Sequence, residues 1–388
     1  MEKVKQYILL LILSISFCTY AQSIKYVNDM DYVLGDVKQA FITNRISNQS
    51  QADNLLKGFK TMGVNGIRIP IFGRDVNGNA LTPNKEMLDY FYTKALEQGF
   101  LIFANPAQGG GGARIANNML NGTVPSVKDN SAATTELILR VLEFSSEYPD
   151  CKWINPFNED GRATNSTWSV DQINTIYAAL YNNVSGAELI GPCTWGLPAG
   201  IDMFQNTQVA NYITVAATHN LGFHHNQWSS FINLAKNEGL PVWDSEVNHN
   251  DAKGNGTRLE KAIENKVDGL VLYNSWTNIS LTTGAVNAGG ERMMALYLDQ
   301  TSLSTDNYED FKLQISPNPF VDKLKIVSPN ANIASYTIYN LNGKEILRSK
   351  NEIFSTKIEI NTSKFSKGLY LIKLNGDSFS KNYKLIKN

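Results

Sequence analysis

Eight short apolar segments, rich in residues that favour β-strands, alternate with amphipathic segments between residues 30 and 300. They are VLGDVKQAFI (33–42), GVNGIRIPIF (63–72), FLIFANP (100–106), KWINPFN (152–158), ELIGPCTW (188–195), YITVAATHN (212–220), PVWDSEVN (241–248) and DGLVLYNSW (268–276). Strands that alternate with helices pair in parallel, and eight such units close naturally into a (β/α)₈ barrel. A doubly wound open sheet is the alternative, but no glycine-rich dinucleotide motif follows the first segment. The sequence therefore predicts a (β/α)₈ TIM barrel over residues 22–300.

The N-terminus has the pattern of a secretory signal peptide. A short basic start, MEKVK, precedes the apolar run YILLLILSISF, which is too short to span a bilayer. Thr19-Tyr20-Ala21 has the small residues of a cleavage site, so we expect residues 1–21 to be removed. Cys18 follows Phe17, a poor match to a lipoprotein signal, which favours a released protein over a lipid-anchored one. An uncleaved anchor is the other alternative.

Two cysteines remain after this cleavage, Cys151 and Cys193. In an exported protein such a pair can form a disulfide bond. Cys151 starts a predicted strand and Cys193 ends one, which in a parallel sheet separates them by more than the ~7 Å Cα limit for a bridge. We therefore expect two unpaired thiols.

The pattern changes after TSLSTDNYED (301–310), a polar segment that is predicted to be a linker. Residues 311–388 contain short alternating strands with turn signals between them, and Asn342-Gly343 is a dipeptide that favours the tight turn of a β-hairpin. The strands are DKLKIV, ASYTIYNLNGKEIL, STKIEI, GLYLIKLNG and NYKLIKN. This pattern predicts a small C-terminal β-sandwich domain.

Three segments of this tail, ISPNPF (315–320), YNLNGKEI (339–346) and GLYLIKL (368–374), resemble the C-terminal sorting domain of the type IX secretion system of Bacteroidetes. The resemblance covers the whole tail. It implies a second export step across the outer membrane, usually with removal of the domain. A carbohydrate-binding module is the competing interpretation, although the tail has no tryptophan.

Polar side chains stand at the C-terminal ends of several predicted strands, where barrels of this kind build their active sites. Glu159 and Glu246 are expected to face each other across the barrel mouth. Such a pair suits glycosidic hydrolysis, which needs a protonated carboxyl for the leaving oxygen and an ionised carboxylate to attack or to activate water. The strand ends carry Arg68, Asn158-Glu159, Thr218-His219-Asn220, Asp244, Glu246 and Tyr273-Asn274-Ser275-Trp276.

Four features resemble the (β/α)₈ glycoside hydrolases often called clan A: GVNGIRIP (63–70), Asn158-Glu159, Glu246 and Trp276. The resemblance implies that Glu159 is the acid/base, that Glu246 is the nucleophile and that Asn158 binds the sugar 2-hydroxyl. It also implies that Arg68 supports the charge of the nucleophile and that Trp276 forms the floor of the cleaved-sugar subsite.

Three further residues at the strand ends have more than one interpretation. Asp244 is a second candidate nucleophile, because it lies two residues before Glu246 and alternate residues of a strand share a face. His219 lies where the resembling enzymes often have histidine or tyrosine, but it could also be a buried structural histidine. A polysaccharide lyase would use His219 or Tyr273 as its base.

All six tryptophans fall in the second half of the barrel. Trp153 and Trp243 come early in their strands and are expected to pack in the interior. Aromatic rings stack on the apolar faces of sugars, and a row of exposed rings suits a polymer. The four that are predicted to face the cleft stand at strand ends or open helices: Trp168, Trp195, Trp228 and Trp276.

Arginines in the loops after the first four strands favour an anionic substrate. Guanidinium groups suit sulfate and carboxylate oxygens, although ion pairs within the loops are the simpler explanation. A sulfated algal polysaccharide is therefore one expectation for the substrate. These arginines are Arg45, Arg74, Arg114 and Arg162.

Other classes of function are disfavoured. A net charge of −1 gives no overall field for nucleic acid or an anionic membrane. No HExxH or comparable cluster predicts a metal, and QGGGG (108–112) lacks the Lys-Ser/Thr of a phosphate loop, so we expect no metal and no cofactor.

The sequence therefore predicts a monomeric, retaining, endo-acting glycoside hydrolase, secreted or at the cell surface. Its expected partners are a polysaccharide and the type IX secretion machinery, and a non-catalytic glycan-binding barrel is the remaining alternative.

Overall fold

The computed structural model describes residues 24–119, 126–161, 166–254, 256–299, 314–328, 332–340, 344–349, 355–376 and 380–388. The chain divides into two compact units, Met1–Ser302 and Leu303–Asn388. The predicted signal peptide (1–21), the predicted linker (301–310) and the candidate residue Arg162 lie outside the described residues. Within the described ranges, no helix is both long enough and apolar enough to cross a membrane.

Parallel strands close into an eight-stranded barrel in the first unit, in the order of the chain. Each strand pairs with the next, and the last pairs with the first. The predicted (β/α)₈ barrel is confirmed, and the C-terminal ends of all its strands meet on one face. The strands are β1 (Tyr32–Asp36), β2 (Gly66–Ile71), β3 (Leu101–Pro106), β4 (Trp153–Ile154), β5 (Glu188–Thr194), β6 (Val215–Thr218), β7 (Val242–Val247) and β8 (Gly269–Leu272).

Helices cover the outside of the barrel and begin at recognisable caps. Asn48, Asn84 and Asn130 each accept a hydrogen bond from a backbone N–H of the first turn, which supplies a partner that the helix itself lacks. The helices are α1 (Lys38–Ile42), α2 (Gln49–Met62), α3 (Lys85–Glu97), α4 (Gly111–Met119), α5 (Ser131–Glu147), α6 (Val170–Leu180), α7 (Leu197–Asn206), α8 (Trp228–Asn237), α9 (Arg258–Glu264) and α10 (Ala288–Tyr297).

Most strands are shorter than the predicted segments, and in the first and fourth segments a side-chain hydrogen bond to the backbone follows the last strand residue. The segment 33–42 was expected to be one strand, but β1 stops at Asp36, whose carboxylate accepts the N–H of Lys38 at 3.1 Å at the start of α1. The fourth segment leaves the sheet after Ile154, because Asn155 Oδ1 accepts the N–H of Phe157 at 3.2 Å. Such bonds offer the backbone an alternative to the sheet ladder.

The barrel interior is filled by side chains from its own strands. Trp153 and Trp243 pack edge to face with ring centroids 4.8 Å apart, and both contact Tyr32. Both indoles are buried in this interior, in the packing role that the sequence predicted. Cys151 and Cys193 are buried free thiols. A second, larger apolar layer lies between the strands and the helices.

The second unit is a small β-sandwich, as predicted. One sheet pairs β13 (Lys357–Asn361), β10 (Lys323–Val327) and β9 (Gln314–Ser316), in that order. The other pairs β12 (Glu345–Arg348), β11 (Ile333–Asn340), β14 (Gly368–Gly376) and β15 (Ser380–Lys387), in that order. Buried residues of both sheets, including Ile326 and Ile372, form one apolar core with Phe320.

Candidate active site

The C-terminal ends of the barrel strands bring together a compact group of polar side chains, which we call the mouth cluster. All of its members except Glu159 are buried, although most of them are charged or strongly polar. Five of them were predicted from the sequence, and the structure places those five in contact with other members. The mouth cluster consists of Asp36, Lys38, Arg68, Asn105, Asn158, Glu159, His219 and Glu246.

Arg68 links Glu246 on β7 to Asp36 on β1. Its Nη1 donates to Glu246 Oε2 at 2.9 Å, and its Nε and Nη2 donate to the two carboxylate oxygens of Asp36, each at 2.9 Å. Burial opposes the ionisation of Glu246, but the positive charges of Arg68 and Lys38 outweigh it and lower the pKa of Glu246 to about 2. Glu246 is therefore an ionised carboxylate at neutral pH.

Asp244 does not share a face with Glu246, so that prediction is wrong. Trp243 points into the barrel interior, and Asp244, the next residue, lies on the opposite face of the strand. The register of β7 against β8 then shifts between Asp244 and Val247. This irregularity turns both Ser245 and Glu246 inward, where their side chains reach other strands. Asp244 is fully buried, and burial raises its pKa to about 7.

Three members of the mouth cluster were not predicted from the sequence: Asp36, Lys38 and Asn105. Lys38 Nζ donates to Asn158 Oδ1 at 3.1 Å and lies 3.7 Å from Glu246 Oε2. Burial and the neighbouring charge of Arg68 lower the pKa of Lys38. The signal was present, because two charged residues follow the apolar start of the first strand, but that strand was expected to continue to residue 42.

The hydrogen bonds of Asn158 fix the protonation of His219. Asn158 Oδ1 accepts from Lys38 Nζ at 3.1 Å and from Asn105 Nδ2 at 2.9 Å, and His219 Nε2 lies 3.3 Å away. An ammonium group can only donate, so the Asn158 atom that faces Lys38 is the oxygen. His219 Nε2 must then carry hydrogen, and its Nδ1 accepts from Ser245 Oγ at 3.0 Å. Burial lowers the pKa of His219 to about 3, which makes this imidazole neutral.

Glu159 stands in a turn with left-handed backbone geometry, at a φ of 58°. Its N–H donates to the Cys193 carbonyl at 2.9 Å, and its carbonyl accepts from Gly161 at 2.7 Å. Non-glycine residues rarely adopt this conformation, and it persists where the surroundings hold it. The side chain is 21% exposed at the barrel mouth. Burial and the charge of Glu246 raise the pKa of Glu159 to about 7.

Asp160, the next residue, ties this turn to the start of α4. Two of the groups that donate hydrogen bonds to the Asp160 carboxyl group are backbone N–H groups in the first turn of α4, which have no partner inside the helix. The loop that carries Glu159 is thus attached to an element that follows β3. The carboxyl group of Asp160 accepts hydrogen bonds from the backbone of Asn158, Gly112 and Ala113 and from the indole N–H of Trp168, over 2.7–3.0 Å.

Glu159, His219 and Glu246 present ligand-type atoms that all lie within 4.8 Å of one another. A carboxylate oxygen of Glu159 is therefore within 4.8 Å of one of Glu246. One imidazole and two carboxylates are a donor set that a divalent cation can take. Here a cation would compete with Arg68, which holds Glu246 Oε2 at 2.9 Å, and with the ammonium of Lys38 at 3.7 Å.

Two of the four tryptophans that were predicted to face the cleft are buried. Trp276 and Trp195 are half-buried, and Trp276 Nε1 donates to Asn274 Oδ1 at 2.8 Å. Trp168 and Trp228 are only 1% and 0% exposed, so the predictions that they face the cleft are wrong. Both belong to the apolar layer between helices and strands. Trp228 begins α8, whose apolar face turns toward the barrel from its first turn, whereas Trp168 precedes α6 and its indole N–H donates to Asp160 Oδ1 at 3.0 Å.

Tyr273 is half-buried just after β8, and its N–H donates to the Val247 carbonyl at 2.8 Å. Burial and the charge of Glu246 raise the pKa of Tyr273. The phenol is therefore protonated at neutral pH.

The loop arginines separate into two groups. Arg74 pairs with Glu143 at 3.0 Å and with Glu147 at 2.5 Å, so its guanidinium stabilises the loop after β2. Arg45 and Arg114 are exposed. Arg114 lines a cavity of about 180 Å³ between the loops after β2 and β3, together with Phe72 and Gln108.

Residues 314–388 match the family model of the secretion system C-terminal sorting domain. The match covers the tail alone. It confirms the predicted resemblance and indicates export through the type IX secretion system to the cell surface or the extracellular space.

Solved structures similar to this chain include a glycoside hydrolase family 30 subfamily 8 xylanase from Clostridium acetobutylicum, with 14% identity and a TM-score of 0.48 over 87% of this chain and 94% of that one. An endo-β-1,4-mannanase from Thermotoga petrophila has 11% identity and a TM-score of 0.47, and the match covers 95% of this chain and 98% of the mannanase. A family 30 endoxylanase from Clostridium papyrosolvens has 14% identity and a TM-score of 0.48, and the match covers 88% of this chain and 95% of the endoxylanase. No curated protein matches the sequence.

Proposed function

We propose that this protein is a secreted, retaining, endo-acting glycoside hydrolase that cleaves a polysaccharide, with Glu159 as acid/base and Glu246 as nucleophile. The observation that carries the proposal is the opposite shift of two neighbouring carboxyl groups. The pKa of Glu159 is raised to about 7 and that of Glu246 lowered to about 2, and their oxygens approach within 4.8 Å. Two acids with divergent pKa values provide one proton donor and one anion at the same pH.

In the first step, a carboxylate oxygen of Glu246 attacks the anomeric carbon of the bound sugar. The bond from that carbon to the glycosidic oxygen breaks, and the leaving oxygen takes the proton of Glu159. The products are a glycosyl ester on Glu246, an ionised Glu159 and the released part of the chain. The Arg68 guanidinium contacts Glu246 at 2.9 Å and favours its ionised form before the attack.

In the second step, Glu159 acts as a base. The ester on Glu246 carries no charge, so the repulsion that helps to raise the pKa of Glu159 disappears. Glu159 takes a proton from water, the resulting hydroxide oxygen bonds to the anomeric carbon, and Glu246 leaves as a carboxylate. Both residues return to their starting protonation states.

The separation of the two acids supports retention of configuration. Retaining enzymes have carboxyl groups about 5–5.5 Å apart, whereas inverting enzymes need about 6.5–9.5 Å to admit a water molecule between the acid and the sugar. One carboxylate oxygen of Glu159 lies within 4.8 Å of one of Glu246, which is nearer to the retaining separation and favours direct attack.

Five other side chains are assigned to substrate binding. The Oδ1 of Asn158 is occupied by Lys38 and Asn105, so the Nδ2 is the amide atom that can donate to a sugar hydroxyl. The half-buried rings of Trp276, Trp195 and Tyr273 provide surfaces for sugar faces. His219 Nε2–H lies 3.8 Å from Glu246 and 4.0 Å from Glu159, between the two acids.

We extend the proposal to an anionic substrate, such as a sulfated algal polysaccharide. The support comes from the exposed residues Arg45 and Arg114, since guanidinium groups suit sulfate oxygens. Within the described part of the chain, Arg114 also donates to the Gly109 carbonyl and to Gln108 Oε1, which leaves its Nη2 for a ligand. Arg162 follows Glu159 closely in sequence and is proposed as a further contact. Arg74 is left out, since two glutamates pair with it.

The lyase alternative has little support from the side chains that it requires. His219 Nδ1, the nitrogen without hydrogen, is taken by Ser245 Oγ at 3.0 Å. The pKa of Tyr273 is raised, so its phenol does not ionise readily. A purely binding barrel would have no use for one neutral and one ionised carboxyl group whose oxygens lie within 4.8 Å of each other.

A glycan panel tests the proposal. The secreted protein is incubated with plant and algal polysaccharides, including sulfated ones, while reducing ends and ultraviolet absorbance are recorded. We expect new reducing ends as oligosaccharides, without an unsaturated product. An ultraviolet-absorbing product would establish a lyase, and binding without any new reducing ends would favour a binding barrel.

A further inference from the structure

Lys38 has an unusual environment for a lysine. Its side chain is 2% exposed, and lysine is almost never fully buried unless it is paired. Its ammonium group donates to Asn158 Oδ1 at 3.1 Å and lies 3.7 Å from Glu246 Oε2. The cost of burying this charge must be offset by what the charge does at the barrel mouth.

We propose that Lys38 is a positioning residue of the active site, which fixes the amide of Asn158 and holds Glu246 ionised together with Arg68. The role in catalysis rests on the proposed hydrolase function, whereas the two local effects do not. Lys38 is too buried to bind a polymer itself, so it acts through Asn158 and Glu246.

The first effect concerns orientation. The two ends of an asparagine amide have nearly the same shape, so hydrogen bonds decide which end points where. Lys38 can accept none, which forces Oδ1 of Asn158 toward it and leaves Nδ2 for a ligand. The same Oδ1 receives His219 Nε2–H at 3.3 Å, so the tautomer of His219 also depends on Lys38.

The second effect concerns charge. Lys38 and Arg68 are the two cations that act most directly on Glu246, and Asp36 already takes two of the hydrogen bonds of Arg68. An opposite charge within ~4–6 Å lowers the pKa of a carboxyl group by about 1–3. Among the described residues, the charged or titratable groups that interact with one or both acids are Lys38, Arg68, His219, Asp244, Arg258 and Tyr273, and Asp36 acts on them through Arg68.

The test measures protonation directly and needs no substrate. Carboxyl ¹³C shifts of labelled glutamates and imidazole ¹⁵N shifts of labelled histidines are titrated in the full secreted chain and in Lys38→Met. Glu159→Gln and Glu246→Gln assign the two carboxyl signals. Lys38→Gln, which keeps a polar group in the cavity, is the second variant in case the first fails to fold. Lys236→Met, at an exposed lysine of α8, is the matched control.

Both Lys38 variants are expected to raise the pKa of Glu246 by about 1 or more. They should also replace the single His219 tautomer of the wild type by a mixture, whereas Lys236→Met should change neither. Unchanged Glu246 titration and an unchanged His219 tautomer in a folded Lys38 variant would overturn the proposal. If no polysaccharide in the glycan panel yields new reducing ends, the proposed hydrolase function is wrong. The Glu246 titration and the His219 tautomer would still decide whether Lys38 has the two local effects.

Discussion

Gly109 lies directly against the carboxylate of Glu159: a Cβ atom built on this glycine would be 2.6 Å from Oε2. Gly109 precedes α4, and Asp160 ties α4 to the loop of Glu159. The glycine-rich stretch after β3 therefore has a steric role next to the proposed acid.

Gly109→Ala is expected to displace the Glu159 carboxyl group. The added methyl group must push the carboxylate aside, and a displacement of 1 Å can reduce turnover by about 100-fold. We expect kcat to fall by about 10-fold or more while the free energy of unfolding changes little, as measured by steady-state kinetics and urea denaturation. Gly73→Ala is the control, because its nearest neighbour would be at 3.5 Å, an ordinary contact. Equal kcat values for the two variants would contradict this account.

The pH dependence of kcat/KM should reflect the shifted pKa values of Glu159 and Glu246. Glu246 must be ionised, and its pKa of about 2 places the acidic limb below the usual working range. Glu159 must be protonated, so activity should decline as the pH rises through about 7. A profile measured from pH 3 to pH 9, an interval of about 6 units, tests this. An alkaline limb near the ordinary pKa of glutamate, about 4.3, would contradict it.

The raised pKa of Glu159 should also lower the free energy of unfolding at neutral and alkaline pH. The folded-state pKa of Glu159, about 7, exceeds its unfolded value of about 4.3, so the folded state binds the proton more tightly. Stability is lost as the pH rises between these two values and stays lost above them. Glu159→Gln should therefore raise the free energy of unfolding by about 1–3 kcal/mol at pH 8 and leave it unchanged near pH 4. Urea denaturation at both pH values checks this, and an equal effect at both would refute it.

Trp276 and Trp228 should respond differently to substitution. Trp276 is half-buried at the mouth, and removing its ring in Trp276→Ala should raise KM by about 10-fold through lost stacking of about 1.5 kcal/mol. Trp228 is fully buried, and Trp228→Phe should lower the free energy of unfolding by about 2 kcal/mol without changing KM. Kinetics and denaturation of both variants test the contrast. A raised KM in Trp228→Phe would show that this indole reaches the cleft after all.

The barrel could be predicted from the sequence because the same pattern occurs eight times along the chain. Each strand is a short apolar run followed by an amphipathic helix, and the position of a polar residue at a strand end is enough to place it on the functional face. Arg68, Asn158, Glu159, His219 and Glu246 could all be found in this way.

Local irregularities could not be predicted by the same rule. Asp244 was placed on the wrong face because a register shift in β7 breaks the alternation on which the prediction relied. Lys38 was missed because the carboxylate of Asp36 ends β1 early. Trp168 and Trp228 were placed in the cleft because the start of a helix does not reveal which of its faces meets the barrel. Each miss depends on a contact between segments distant in sequence or on a single side-chain hydrogen bond.

The most direct test of the proposed mechanism is the rate at which Glu159→Gln and Glu246→Gln release reducing ends from the best substrate in the glycan panel. Both glutamines keep the size of the side chain but remove its proton transfer or its charge. Each variant is expected to lose activity by at least about 100-fold at pH 6, whereas Glu238→Gln, at an exposed glutamate beyond α8, should match the wild type. Wild-type rates in either active-site variant would contradict the assignment of these two glutamates.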